Sequence, residues 1–209
     1  MADVAKAMPA KHKPVLLHES IDALDIQAGE IFLDGTFGGG GHSREVKRRF
    51  GDKVRIICLD QDPDVVKKNP EFEIKVANFK DLDKAIGELR PNAILFDLGI
   101  STLQLENSGR GFSFLRDEPL DMRMSKEGIT AAEILNSWDE HAIELVLRGF
   151  GEEKYSRRIA REIVEKRKTK PFVTTFDLTE VVGRRTGKIH PATKTFQALR
   201  MAVNEELTA

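Results

Sequence analysis

Four short apolar runs alternate with amphipathic segments in the first half of the chain. The runs lie at residues 31–34, 55–60, 73–77 and 93–97. Three of them end in an aspartate, namely Asp34, Asp60 and Asp97. Short continuous apolar runs favour strands that are buried on both faces of a parallel sheet. The alternation of strands and helices therefore predicts a doubly wound α/β fold.

Segments with apolar residues at helical spacing separate these strands and fill the second half of the chain. In the first half they lie at residues 14–24, 42–50, 63–68 and 82–89. Residues 99–123 have no sustained period, which predicts an ordered functional loop. Further helices are expected at residues 131–135, 140–147, 155–167, 175–182 and 192–207. The pattern predicts a core formed by residues 12–102 and 191–209, with a mostly helical insertion at residues 103–190.

A run of four glycines, Gly38 to Gly41, follows the first strand directly and leads into a helix. Consecutive glycines lose more backbone entropy on folding than other residues, so a fold keeps them where side chains cannot fit. A turn between a strand and a helix, pressed against a ligand, is a common place of this kind. We therefore expect the run to be a ligand-binding turn rather than a flexible linker.

The residues at the strand ends are the candidates for the rest of the site. In an open α/β sheet the ligand lies beyond the carboxyl ends of the strands, so Asp34, Asp60, Phe79 and Asp97 should converge on one crevice. Asp60 follows the glycines at a spacing suited to a carboxylate that accepts hydrogen bonds from ribose hydroxyls. Phe79 is a candidate to lie on a purine face. Asp34 and the glycine amides would bind the charged tail of the same ligand.

An adenosine-binding site of this kind fits either a dinucleotide or S-adenosylmethionine. The glycine run is longer than a dinucleotide motif and follows an acidic strand end, which suits a zwitterionic amino-acid tail better than a pyrophosphate. Asp97 opens the segment D-L-G-I-S-T-L-Q-L, at the position where amino-group methyltransferases place an acid or amide beside the reacting methyl. These features favour S-adenosylmethionine. The chain has one cysteine and no Cys/His spacing of the zinc type, so no metal site is predicted.

Composition limits the class of protein, and the distribution of charge leaves a nucleic-acid partner open. Of the 209 residues, 40% are hydrophobic and 32% are charged, and no apolar run is long enough to span a membrane. With no secretory signal recognised, we expect a cytoplasmic protein. The net charge is −1, yet residues 148–200 contain 14 Lys and Arg against 6 Asp and Glu. That excess is either a solvated helical surface or the binding surface for a phosphate backbone.

Several long motifs occur together in this chain and resemble those of one protein family. They are T-F-G-G-G-G-H-S (36–43), L-D-Q-D-P (59–63), D-L-G-I-S-T-L-Q-L (97–105), R-G-F-S-F (110–114), P-L-D-M-R-M (119–124), G-E-E-K-Y-S-R-R-I-A-R-E-I-V (151–164) and H-P-A-T-K-T-F-Q-A-L-R-M-A-V-N-E-E-L (190–207). With them the chain resembles the bacterial small-subunit ribosomal RNA cytosine-N4 methyltransferases of the MraW type, from about residue 12 to residue 207. The resemblance implies a Rossmann-like class I S-adenosylmethionine-dependent methyltransferase core with a helical insertion for substrate recognition. It also implies methylation of the exocyclic amine of a cytidine in 16S ribosomal RNA.

The resemblance also assigns cofactor contacts to residues of this chain, and the chemistry of amine methylation adds further candidates. The S-adenosylmethionine contacts would be Gly40, Gly41, His42, Asp60, Phe79, Asp97 and Gln104. Asp97 is the catalytic candidate, because it could accept a hydrogen bond from the cytidine amine or orient the amino group of the cofactor. Phe112 and Phe114 either line a base pocket or anchor their loop to the core. Five arginines are either contacts to RNA phosphates or solvated surface side chains: Arg110, Arg123, Arg157, Arg158 and Arg161.

The chain differs from this family at its carboxyl end. Family members continue well beyond the N-E-E-L at residues 204–207, and a class I methyltransferase sheet usually has seven strands where four are predicted here. We expect the fourth strand to be an apolar sheet edge, covered by a homodimer partner or by a C-terminal segment missing from this chain. Two alternative functions stay open: a dinucleotide-dependent oxidoreductase, and a non-catalytic RNA-binding or assembly module with the same fold.

Overall fold

The computed structural model describes residues 14–183 and 190–207. Within these residues it contains one four-stranded sheet, with strands β1 (Ile31–Asp34), β2 (Arg55–Asp60), β3 (Glu73–Val76) and β4 (Ala93–Leu95). All three pairings are parallel and the strand order is β3-β2-β1-β4. The chain places β2 and β3 on one side of β1 and then β4 on its other side. Because all strands are parallel, the carboxyl ends of β2, β1 and β4 lie side by side. The predicted Rossmann-like α/β fold is confirmed.

Ten α-helices are described. They are α1 (Leu17–Ala23), α2 (Gly41–Phe50), α3 (Pro63–Lys68), α4 (Leu82–Ile86), α5 (Thr102–Asn107), α6 (Ala131–Ser137), α7 (Glu140–Gly149), α8 (Ser156–Arg167), α9 (Thr175–Val182) and α10 (Ala192–Val203). Two short 3-10 helices, Gly51–Lys53 and Phe79–Asp81, follow α2 and β3. Nine of the ten helices were predicted, with α4 and α10 ending earlier than expected. None of the described helices is long and apolar enough to cross a bilayer.

Helix α5 was not predicted, because residues 99–123 have no sustained apolar period. The helix is started by a capping box: the Ser101 hydroxyl accepts a hydrogen bond from the Gln104 amide at 3.2 Å, and the Gln104 side chain accepts one from the Ser101 amide at 3.2 Å. Each contact satisfies a backbone amide that the first helical turn leaves without a partner. The prediction of a continuous loop is therefore wrong over this segment.

Apolar clusters cover both faces of the sheet. Phe32 and Leu33 are neighbours on β1 and point to opposite faces, as successive strand residues do, and both are fully buried. Phe32 packs in a cluster that includes Ile21 of α1, which confirms that the first helix covers the first strand. Leu33 packs with Ile57 and Leu59 of β2 on the other face.

A third and larger cluster holds the helices of the second half together. It extends in sequence from Phe112 to Val203, and it includes Phe196 and Leu199. Helix α10 contacts α6, α7 and α9, so its apolar face is buried among helices. The division of the chain into a core of residues 12–102 and 191–209 and an insertion of residues 103–190 stays a prediction.

Strand β4 is one edge of the described sheet, as the sequence predicted. Three large apolar side chains on or after it are partly exposed: Ile94 by 39%, Phe96 by 43% and Leu98 by 67%. Exposed apolar side chains beside unpaired backbone groups favour association with another strand. The expectation that a second copy or a further C-terminal segment covers this edge stays a prediction.

Candidate cofactor cleft and active site

A cleft of about 700 Å³ opens at the carboxyl ends of the strands. Its walls are the glycine turn after β1, the residues that follow β2, β3 and β4, the start of α5, and segments of the helical half that contain Met124 and Asn204. Of the seven predicted cofactor contacts, six line it, namely Gly41, His42, Asp60, Phe79, Asp97 and Gln104. These residues are distant in sequence and meet because parallel strands end at the same edge of the sheet.

The glycine turn is shaped by close packing. A Cβ atom on Gly41 would overlap the Pro14 ring, and one on Gly40 would overlap the side chains of Phe37 and Arg44. Gly40 has a φ of 70°, a left-handed conformation that favours glycine. Its amide donates to the Phe37 carbonyl at 2.7 Å, and it does not line the cleft, unlike Gly41. Gly40, predicted as a cofactor contact, therefore lies outside the cleft lining and determines the shape of the turn.

Asp60 presents a nearly buried carboxylate at the end of β2, with 8% of the residue exposed. One oxygen accepts the Gly38 amide at 2.7 Å and the other accepts the Asp62 amide at 2.8 Å. Burial raises the pKa of Asp60 to about 6, against the lowering effect of these two hydrogen bonds. Each carboxylate oxygen can accept a second bond, so Asp60 can still receive donors from a ligand.

Phe79 lines the cleft just beyond β3, in the first residue of its 3-10 helix. Its ring lies 5.5 Å from the ring of Phe96, centroid to centroid, and Phe96 is partly exposed. A Cβ atom on Gly35 would overlap the Phe96 ring, so the glycine after β1 makes room for this aromatic pair. Phe79 therefore contributes an aromatic ring to the cleft, and Phe96, which does not line the cleft, packs against that ring.

Asp34 does not line the cleft, which corrects the prediction that all four strand-end residues share it. Only 1% of Asp34 is exposed. Helix α2 begins over the end of β1, so the Ser43 hydroxyl reaches the carboxylate and donates to it at 2.6 Å, while the Thr36 amide donates at 3.2 Å. Burial raises the pKa of Asp34, and the Ser43 hydrogen bond opposes that shift. Asp34 thus supports the turn from below and does not face a ligand.

His42 and Asp97 both line the cleft, and their side chains are neighbours. The His42 Nδ1 atom lies 3.9 Å from the Asp97 Oδ2 atom, beyond hydrogen-bond range. The His42 side chain is 7% exposed and that of Asp97 is 51% exposed. The His42 Nε2 atom is buried and has no hydrogen-bond partner among the described residues. A buried polar atom without a partner fits a site that a ligand completes.

The main chain of Asp97 is fixed although its carboxylate is open to solvent. Its amide donates to the Thr36 hydroxyl at 2.7 Å, which ties the end of β4 to the turn after β1. Gln104 lies in the wall with 8% exposed, and its side chain is held by the capping box of α5.

Several cleft residues do not stand out in the sequence pattern. They include Thr36, Gln61, Asn78, Met124 and Asn204. Gln61 and Asn78 follow β2 and β3, so their place after predicted strands was a usable signal. Met124 and Asn204 come from distant segments, and no local pattern indicates that they meet.

The loop phenylalanines lie away from the cleft. Phe112 is 6% exposed in the helical cluster, and Phe114 stacks on the His190 ring at 4.6 Å and contacts the Phe196 ring at 5.5 Å. Of the two interpretations of these residues, anchoring to the core is confirmed. The Arg110 side chain is 13% exposed and pairs with Asp62, so the structure does not favour it as a contact to RNA phosphate. Arg123 pairs with Asp121 at 2.7 Å.

No group of three or more side chains of the metal-ligating types occurs within residues 14–183 and 190–207.

The fold and the cleft together define the class of protein. The parallel sheet, the close-packed glycine turn after β1, the acceptor carboxylate after β2 and the aromatic side chain after β3 are those of a Rossmann-like α/β protein with a cleft at the carboxyl ends of its strands. The family model of the MraW methylase family matches residues 9–209. The chain belongs to this family.

Curated relatives agree with this assignment. The chain is 43% identical over 211 residues to the ribosomal RNA small subunit methyltransferase H of Hamiltonella defensa, covering 94% of this chain and 68% of that protein. It is 44% identical over 212 residues to the protein of the same name from Idiomarina loihiensis, covering 94% and 67%. For the Clostridium botulinum protein the identity is 42% over 218 residues, covering 96% and 70%. The chain thus spans about two thirds of the length of these relatives.

Proposed function

We propose that the chain transfers a methyl group from S-adenosylmethionine to the exocyclic N4 amine of a cytidine in small-subunit ribosomal RNA. Membership of the MraW methylase family supports methyl transfer, and the name shared by the relatives supports this RNA as the substrate. The observation that carries the proposal is the cleft itself, where the Asp60 carboxylate and the glycine turn lie beside the open carboxylate of Asp97. We expect the enzyme to act in the cytoplasm.

The residues present fit this cofactor. Asp60 offers free acceptor positions for two ribose hydroxyls, and Phe79 offers a ring face for adenine. The buried Nε2 atom of His42 needs a polar partner, which the amino-acid tail of the cofactor can provide. Gly41, Asp97 and Gln104 complete the proposed set, and Gly40 shapes the turn. Bound S-adenosylmethionine supplies an electrophilic methyl group attached to sulfur.

Asp97 is the residue we propose for the reaction. The lone pair of the cytidine amine is delocalised into the ring, which makes the amine a poor nucleophile. A carboxylate that accepts a hydrogen bond from an amine proton favours a pyramidal nitrogen with its lone pair exposed. The Asp97 side chain is half exposed and its backbone is fixed by Thr36, so it can meet an incoming base without moving its strand. Holding the reacting atoms in line would provide most of the acceleration.

For RNA we propose a surface at the start of α8, called the α8 basic surface and formed by Lys154 and Tyr155, which precede the helix, and by Arg157 and Arg161. The opposite face of the helix, with Ile159 and Ile163, is buried in the helical cluster. All four members of the surface are exposed, Tyr155 by 64%. Among the described residues, Arg157 and Arg161 make no ion pair, whereas Arg158 pairs with Glu162 at 3.0 Å. Cations one helical turn apart beside an exposed ring suit phosphates and an unstacked base.

The same proposal gives the two parts of the chain different tasks. Residues 12–102 and 191–209 would bind the cofactor, and residues 103–190 would recognise the RNA. The α8 basic surface lies in the second part, in agreement with this division.

Methyl transfer to a mapped nucleotide tests the proposal. The purified chain is incubated with labelled S-adenosylmethionine and immature small subunits, and modified cytidines are located by mass spectrometry. We expect one N4-methylated cytidine, and in Asp97→Ala a loss of transfer that persists at saturating S-adenosylmethionine. Binding of RNA and cofactor without transfer by the wild-type chain would instead support a non-catalytic module.

A further inference from the structure

Arg110 lies at the junction between the sheet and the helical half, where its side chain is largely enclosed. Its side chain is 13% exposed and forms an ion pair with Asp62, whose side chain is 4% exposed. The Nη1 atom donates to the carbonyls of Arg123 at 2.9 Å and Met124 at 3.0 Å. The guanidinium also lies 5.6 Å from the centroid of the Phe112 ring. One side chain therefore joins three separate segments.

The Asp62 end of this pair is connected to the cleft. The Asp62 amide donates to the Asp60 Oδ1 atom at 2.8 Å, and the Asp62 Oδ1 atom accepts the Asp64 amide at 3.0 Å at the start of α3. Asp62 therefore orients the Asp60 carboxylate through its main chain while its own carboxylate holds Arg110. A displacement of Asp62 would move the acceptor that we assign to the ribose.

The Arg110 end of the pair holds the segment that forms the opposite wall of the cleft. Met124 lines the cleft, and its Sδ atom accepts the Gln61 side chain at 3.1 Å. Met122, two residues earlier, has a φ of 59°, a conformation that side chains rarely adopt. Asn204 holds this bend by donating to the Met122 carbonyl at 2.8 Å and accepting the Met124 amide at 2.8 Å. Arg110 holds it too, since its carbonyl accepts the Met122 amide at 2.8 Å.

From these contacts we propose that Arg110, paired with Asp62, is a positioning residue for the cofactor: it sets the separation between the Asp60 carboxylate and the Met124 wall. This inference rests on the proposed function and deepens it. A planar guanidinium can donate to a carboxylate from one nitrogen and to two carbonyls from another. The ammonium group of lysine has its donors on a single nitrogen, so it cannot reach all three acceptors in this arrangement. The pair acts on the shape of the binding wall and does not touch the reacting amine.

Two variants and a matched control test the inference. Arg110→Lys keeps the charge and loses the planar fork. The double variant Asp62→Asn/Arg110→Gln removes both charges together, so no unpaired charge is left buried, and asparagine caps a helix about as well as aspartate. Lys126→Met is the control, because Lys126 pairs with Asp64 at 2.5 Å across the same two segments but at the surface, with side chains 45% and 38% exposed. Thermal melts establish first which proteins are folded.

The readouts are the Kd of S-adenosylhomocysteine by calorimetry and the kinetic constants of methyl transfer. We expect the Kd and the KM for S-adenosylmethionine to rise about tenfold in both Arg110 variants, which corresponds to about 1.4 kcal/mol. Because the pair does not act on the amine, kcat at saturating cofactor should stay within about threefold. Lys126→Met should match the wild-type chain in both constants.

Four outcomes would overturn the inference. They are a folded double variant with wild-type affinity, a loss of kcat at unchanged Kd, a double variant that does not fold, and an equal loss of affinity in Lys126→Met. The third would assign the pair to stability alone. Failure of the wild-type chain to bind S-adenosylhomocysteine would refute the proposed function, and the inference with it, and is recognised before any variant is made.

Discussion

Asp60 is a carboxylate that the fold buries at the end of β2 and then leaves with acceptor capacity for a ligand. Two backbone amides, from Gly38 and Asp62, hold it between the glycine turn and the start of α3. Burial still dominates, so the pKa of Asp60 rises to about 6. Its protonation therefore falls in a range of pH that can be reached without acid denaturation of an ordinary domain.

We expect cofactor affinity to fall as the pH falls through the pKa of Asp60, near 6. Ribose hydroxyls donate to the carboxylate, so the ligand prefers the deprotonated form and binding weakens once a proton is taken up. Calorimetric titration with S-adenosylhomocysteine between pH 5 and pH 8 measures this. Asp60→Asn should bind more weakly and lose this pH dependence. An unchanged profile in that variant would contradict the assignment of Asp60.

The raised pKa of Asp60 also affects the stability of the free protein, and this effect depends on pH in the opposite direction to cofactor affinity. The folded pKa of Asp60 lies above its ordinary value of 3.8, so between about pH 6 and pH 4 the folded protein binds a proton that the unfolded chain releases. The contribution of this group to the free energy of unfolding therefore increases as the pH falls through that window. The free protein should gain stability from Asp60 where the complex loses affinity.

Among the strand-end aspartates, sequence pattern predicted the place of each in the fold but not its environment. Asp60 and Asp97 line the cleft as expected, and Asp34 does not. The difference comes from Ser43, whose hydroxyl reaches Asp34 because α2 begins directly above β1. A strand-end position is visible in the sequence, whereas a buried hydrogen bond depends on how the next helix is placed.

At the scale of elements, the strands and most helices follow from local pattern because each has an apolar face that must be buried. Helix α5 is the exception. Its start is encoded by the capping box between Ser101 and Gln104 and not by an apolar period, so a search for periodicity misses it. The S-x-x-Q spacing was the available signal. This helix matters for the site because it carries Gln104 into the wall.

Helix α8 carries the prediction for RNA. We expect Arg157→Ala/Arg161→Ala to weaken binding to a small-subunit ribosomal RNA fragment without changing S-adenosylhomocysteine affinity. Each arginine that contacts a phosphate displaces a counterion, so the slope of log K against log salt concentration should fall by about 0.7 to 0.9 per side chain. Filter binding over a range of salt concentrations measures both quantities.

A matched control for this pair is Lys53→Ala/Arg90→Ala. Both residues precede strands, Lys53 before β2 and Arg90 before β4, so they lie at the amino ends of the sheet, opposite the cleft. The control removes the same charge from a surface without a proposed role. Equal loss of RNA affinity in the two double variants would show a general charge effect and would remove α8 from the account.

At the scale of the whole molecule, two apolar clusters flank the sheet and a third holds the helices, and the cleft lies where the two parts meet. The sheet side of the cleft could be predicted, because parallel strands end at one edge. The helical side could not, since Arg110, Met124 and Asn204 meet only after the long segment between β4 and α10 has folded. Long-range contacts of this kind leave no periodic trace in the sequence.

The central claim is that this cleft binds S-adenosylmethionine through the adenosine acceptor at Asp60. Calorimetry of the chain with S-adenosylhomocysteine and, separately, with NAD tests it most directly. We predict one bound S-adenosylhomocysteine per chain, strong weakening in Asp60→Ala, and no measurable binding of NAD. Tight binding of NAD with no binding of S-adenosylhomocysteine would contradict the account.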